Sequence, residues 1–98
     1  MIFGITPLSA LSLLALSFQG CSNQASIANR YLTAERLWTD KNYEASVAEF
    51  DQILKEDPNS AIALQALLRS SMTKTLFLNL QDQALQGFKL YLERAASS

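Results

Sequence analysis

Apolar residues follow two regimes along this chain. From Met1 to Phe18 they predominate, densest over Leu8–Phe18, and no charged residue occurs before Arg30. From Ile27 onward, apolar and polar positions recur with the 3.6-residue period of an amphipathic helix. Ile27, Tyr31, Ala34 and Trp38, with Leu37 alongside, predict a first helix over 27–39, interrupted by Asp40-Lys41-Asn42. Tyr43, Val47, Phe50 and Leu54, spaced 4, 3 and 4, predict a second helix from Tyr43 to Glu56. On its solvent side Asp51 and Lys55 are placed for an i,i+4 ion pair. Pro58 disfavours helical geometry at Asp57, and Asn59 or Ser60 can cap the helix that follows.

A third helix, over 61–78, carries Leu64, Leu68, Met72, Leu76 and Leu80 at four-residue intervals, widened by Leu67 and Leu78. So broad a stripe predicts burial on more than one side. A break at Asn79–Asp82 precedes a last helix over 83–95, with Asp82 as a cap or first-turn acid. Leu85, Phe88 and Leu92 are its expected buried face. Leu90 and Tyr91 sit off that stripe and are expected to form an association surface, exposed or covered by another chain. With no strand-like alternation between turn signals, the expected fold class is all-α.

Chemistry adds little. The chain has one cysteine, no histidine and a formal net charge of −1, with acids and bases interspersed. No basic stripe is present to neutralise phosphates, so nucleic acid is not an expected partner. The carboxylates are scattered at solvent-face spacing, and no glycine-rich phosphate loop or nucleophile elbow occurs. The chain is therefore read as no enzyme, with no cofactor, no metal and no small-molecule substrate. A lone cysteine also excludes an intramolecular disulfide.

The second and fourth helices resemble each other. Aligned at an offset of 38 residues, Ser46 falls on Ala84, Val47 on Leu85, Phe50 on Phe88 and Leu54 on Leu92. The period is close to the ~34 of a tetratricopeptide repeat. The stretch from Ile27 to Ser60 resembles that family through Ala34, Tyr43, Ser46, Phe50 and the turn Asp57-Pro58-Asn59-Ser60. It departs from the pattern with Lys41 where glycine is usual, Ser46 for alanine and Thr33 for leucine. A generic antiparallel four-helix bundle is the alternative arrangement. The resemblance implies two helix-turn-helix repeats, about 27–60 and 61–96, whose first helices line a concave face that binds peptides or helices. Carried over by position, that face is Tyr31, Glu35, Trp38 and Thr39 from the first repeat and Arg69, Thr73 and Phe77 from the second. Trp38 reads either as core or as an interface anchor. Arg69 reads either as a holder of a partner's carboxylate or as a snorkelling surface side chain.

The N-terminal stretch ends in Gln19-Gly20-Cys21-Ser22, an apolar segment of signal-peptide length with a small residue before the cysteine. This resembles a bacterial lipoprotein signal peptide. The resemblance implies cleavage after residue 20, a diacylglycerol thioether and acyl chain on Cys21, and a short tether over 22–26. Removing residues 1–20 leaves 78, one small domain. An uncleaved membrane anchor and an ordinary thiol at Cys21 are the alternatives. The expected role is a lipid-anchored adaptor or assembly module in the cell envelope, on the outer membrane facing the periplasm. Its partner would be another envelope protein or a second copy. The alternative role is a structural subunit of an obligate oligomer or larger complex.

Overall fold

The computed structural model describes residues 25–97. The signal-peptide reading of 1–20, the lipidation site Cys21 and the first part of the tether lie outside the described residues. Four helices follow in order: α1 over 25–39, α2 Tyr43–Glu56, α3 Ala61–Leu76 and α4 Gln81–Ser97. The described residues are all-helical, without strands, and form two helical hairpins, α1 with α2 and α3 with α4. No helix among them is long and apolar enough to cross a membrane.

Helix α2 has the bounds its punctuation predicts. Helix α1 already includes Ala25 and Ser26, which the sequence assigns to the tether. Helix α3 stops at Leu76, two residues early. Its N-terminus is capped by Ser60, whose Oγ accepts from the Ala63 N–H at 3.0 Å. Helix α4 is longer than expected at both ends. Asp82 therefore lies inside its first turn as a dipole-complementing acid, not as the cap.

Both hairpins turn through a residue with left-handed backbone, Lys41 (φ 65°) and Asn79 (φ 56°), again 38 residues apart. The first turn is a Schellman motif. The Asn42 N–H donates to the Leu37 carbonyl at 2.9 Å, and the Lys41 N–H to the Trp38 carbonyl at 3.0 Å. Lysine thus stands where glycine, without a Cβ, would be unstrained. Asn79, at the second turn, tolerates the same conformation better.

The core lies where α1, α2 and α3 meet: Ile27, Ala34, Phe50, Ile53, Ala63 and Ala66 are buried, and Tyr31, Leu54 and Ile62 pack against them. Small residues set the helix crossings. In the first hairpin, buried Ser46 donates its hydroxyl to the Ala34 carbonyl at 2.7 Å. In the second, Gly87 approaches α3 so closely that a Cβ there would lie 1.9 Å from Ser71 Oγ.

The buried face of α3 differs from the leucine stripe. Ala63, Ala66, Leu67, Ser70, Ser71 and Thr73 are buried, while Met72, Leu76 and Leu80 are exposed. Close helix approach requires small side chains, and the larger leucines are displaced to the flanks. The α2–α3 interface is accordingly partly polar. Asp51 turns to α3, not to Lys55: its carboxylate accepts from Ser70 Oγ at 2.6 Å and pairs with Lys74 Nζ at 3.2 Å.

Helix α4 is also rotated from expectation. Ala84 is buried, Gly87, Phe88 and Tyr91 are half-buried, and Leu85 and Leu92 face solvent. Arg30 of α1 bridges to α2, pairing with Glu49 at 3.2 Å and Glu56 at 3.5 Å.

Candidate protein-interaction face

Helices α1 and α3 lie side by side, and the side chains between them form a strip with three zones. Near the start of both helices, Ala28, Tyr31, Leu32, Ile62 and Gln65 line an open, almost wholly apolar hollow of about 340 Å³. Tyr31 forms its floor, with its ring edge-on to Phe50 at 5.3 Å. Leu32 stands exposed at the rim.

In the middle zone, Arg69 Nη1 pairs with Glu35 Oε2 at 3.0 Å. The guanidinium also lies 5.4 Å from the centroids of both the Trp38 and Phe50 rings. A cation between two aromatic faces, paired to a carboxylate on the neighbouring helix, is an internal clamp. Glu35 and the two rings already engage Arg69 within the chain.

The third zone is aromatic. The Trp38 indole N–H donates to Thr73 Oγ1 at 3.1 Å, and that hydroxyl donates to the Arg69 carbonyl at 2.7 Å. Trp38 meets the edges of Tyr43 (5.8 Å) and Phe77 (5.9 Å), while Tyr43 and Phe77 stack at 4.1 Å. Trp38 is thus half-buried, tying the first hairpin's turn to the end of α3. Phe77 leaves one face open to solvent. Thr39 is exposed, its hydroxyl donating to the Glu35 carbonyl.

Of the residues expected on the concave face, Glu35, Trp38, Arg69, Thr73 and Phe77 are brought together, and Tyr31 lies beside them in the hollow. Sequence reasoning missed Leu32, Ile62 and Gln65 of that hollow, of which Leu32 and Gln65 are exposed and Ile62 is half-buried against the core. No local pattern marked them, since Ile62 stands between Ala61 and Ala63 and the hollow exists only where the two helices lie side by side.

The expected association pair behaves differently. Leu90 lines a cleft of about 680 Å³ between α4 and the turn at Pro58–Ala61, bridged by Arg94 Nη1 donating to the Pro58 carbonyl at 2.9 Å. Tyr91 shares the helical side of Ala84 and is half-buried. Neither forms the exposed apolar patch, which belongs to Leu85 and Leu92. Among the described residues no group of acids and thiols is placed to hold a metal ion. Compared with family models, curated proteins and solved structures, the chain matches none.

Proposed function

We propose that this chain is a lipid-anchored interaction module of the bacterial cell envelope, a two-repeat relative of tetratricopeptide lipoproteins. In this reading the signal is cleaved before Cys21, whose thioether-linked diacylglycerol and amide-linked palmitate hold the domain on the outer membrane. Ser22, where aspartate would signal inner-membrane retention, supports the outer membrane by family resemblance. The α1–α3 face then takes a peptide or helix of another envelope protein.

The observation that carries the reading is the strip itself. An open apolar hollow sits beside a rigid ion-pair clamp and an exposed aromatic edge, on the helices that line the concave side of repeat arrays. Apolar pockets flanked by fixed polar groups are what peptide-binding grooves use for affinity and register. Recognition falls to the hollow and to Phe77, while Arg69 and Trp38 keep the two helices at their spacing.

The test is site-specific photo-crosslinking in cells, with a benzophenone side chain at Leu32 and, separately, at Lys55 on the outer face of α2. A discrete adduct from Leu32 that Lys55 does not give supports the groove. Equal, diffuse labelling from both positions sinks it. A structural-subunit role is the second reading, favoured by the exposure of Leu85 and Leu92 on α4.

A further inference from the structure

Helices α2 and α4 are equivalent at an offset of 38, yet the corresponding faces differ in their cover. On α2, Val47, Asp51 and Leu54 share one face by spacing. Asp51 contacts Ser70 and Lys74, so that face is turned to α3. Val47 is 7% exposed, and Leu54 packs on the core. Their counterparts on α4 are Leu85, Lys89 and Leu92. Leu85 is 55% exposed and Leu92 66%.

Helix α3 has a matching open side. The first helices of the two hairpins align at an offset of 37, since Arg30 pairs with Glu49 where Leu67 lies beside Gly87. At that offset Glu35, whose carboxylate reaches Arg69 of α3, falls on Met72, and Thr39 one turn further falls on Leu76; Met72 and Leu76 are 41% and 64% exposed. Ser71 meets Gly87 in an antiparallel hairpin, so Met72 and Leu76 lie toward the Leu85 end of α4. Four large apolar side chains are therefore exposed on the second hairpin, three of them (Leu85, Leu92 and Met72) at positions whose counterparts Val47, Leu54 and Glu35 lie on sides turned to α3.

We propose that these side chains form a docking surface for one amphipathic helix of a partner protein, laid on α4 as α3 is laid on α2. The template specifies its chemistry. The side of α3 that includes its contacts to α2 is small, with Ala63, Ala66, Ser70 and Thr73, so the docked helix presents small residues to Leu85 and Leu92. The charge is inverted: Asp51 receives Lys74, and its counterpart is Lys89, so the docked helix brings a carboxylate. A second copy docked through α1 does not meet this requirement. Its α1 would offer Thr33 and Leu37 at the positions of Ser70 and Lys74, with Arg36 alongside, adding a like charge near Lys89. The inference stands apart from the groove and from the anchor.

The test uses full-length protein in lipid nanodiscs and two fluorescent peptides of the α3 sequence 61–76, one unaltered and one carrying Lys74→Glu, read by anisotropy. The Lys74→Glu peptide should bind saturably and about tenfold more tightly than the unaltered one. Leu92→Glu in the protein should abolish binding, and Lys89→Glu should reverse the preference between peptides. Helicity should be unchanged in both variants, because both side chains are exposed. Equal binding of the two peptides, or binding that survives Leu92→Glu, overturns the proposal. Self-association that Leu92→Glu removes also overturns it, in favour of a second copy. Crosslinks from Leu32 report on the groove independently of any of these outcomes.

Discussion

Ser71 and Gly87 meet where α3 crosses α4, and the Ser71 side chain fills the space that a side chain at position 87 would need. A Cβ at position 87 would lie 1.9 Å from Ser71 Oγ and 3.1 Å from Ser71 Cβ. Alanine is the better helix former by about 1 kcal/mol, which favours Gly87→Ala. Ser71 is buried, however, so rotating its hydroxyl away relieves only part of the overlap. Overpacking of this kind costs about 1–3 kcal/mol, so the net expectation is a loss of about 1 kcal/mol in urea unfolding. Adding Ser71→Ala should recover stability, and a double mutant no better than Gly87→Ala would place the strain elsewhere.

The turn at Lys41 offers the opposite sign. Its φ of 65° costs a lysine energy that glycine does not incur, and its N–H and that of Asn42 already close the Schellman bonds. Lys41→Gly should therefore raise stability by about 0.5–1 kcal/mol, despite the greater freedom of glycine in the unfolded chain. A lowered melting temperature would mean that the lysine side chain contributes more than its backbone strain costs.

Phe50 is fully buried, with Tyr31 edge-on to its ring and the Arg69 guanidinium over it. Phe50→Ala should cost about 3–5 kcal/mol, much of the stability of so small a domain. Near-ultraviolet circular dichroism should show the loss of fixed aromatic packing. A parent-like melting curve would contradict the position of this ring at the centre of three helices.

Cys21 tests the anchor separately from the fold. Cys21→Ser should leave an unprocessed precursor that no longer enters the detergent phase, while the helical domain keeps its melting temperature. A lipid-modified Cys21→Ser protein would refute the lipoprotein reading.

What was legible in the sequence depended on how local its cause was. The bounds of α2 could be read because Asn42 and Pro58 act on neighbouring backbone, and the Ser60 cap because it is three residues from its donor. The breaks at Asp40–Asn42 and Asn79–Asp82 marked both turns, while the left-handed residues within them emerge only in the structure. The buried sides of α3 and α4 could not be read from hydrophobicity alone. Leu76 and Leu92 extend the most regular apolar stripes yet lie exposed, while Ser70, Ser71, Thr73 and Gly87 form the contact, because helix axes approach closely only over small side chains. The clamp that holds Arg69, made by Glu35, Trp38 and Phe50, joins residues 19 to 34 positions away, beyond any local pattern.

The joint between the hairpins has a consequence for alignment. Apolar area alone would accept α3 at several offsets along α2, since alanines succeed one another along the helix. The Asp51 carboxylate accepts no such freedom, because its two oxygens point at Ser70 and Lys74. A slip of one helical turn, about 5.4 Å, would strand a buried hydroxyl and separate the charges. The two hairpins are thereby indexed like teeth on a rack, and every distance across the α1–α3 strip inherits that index.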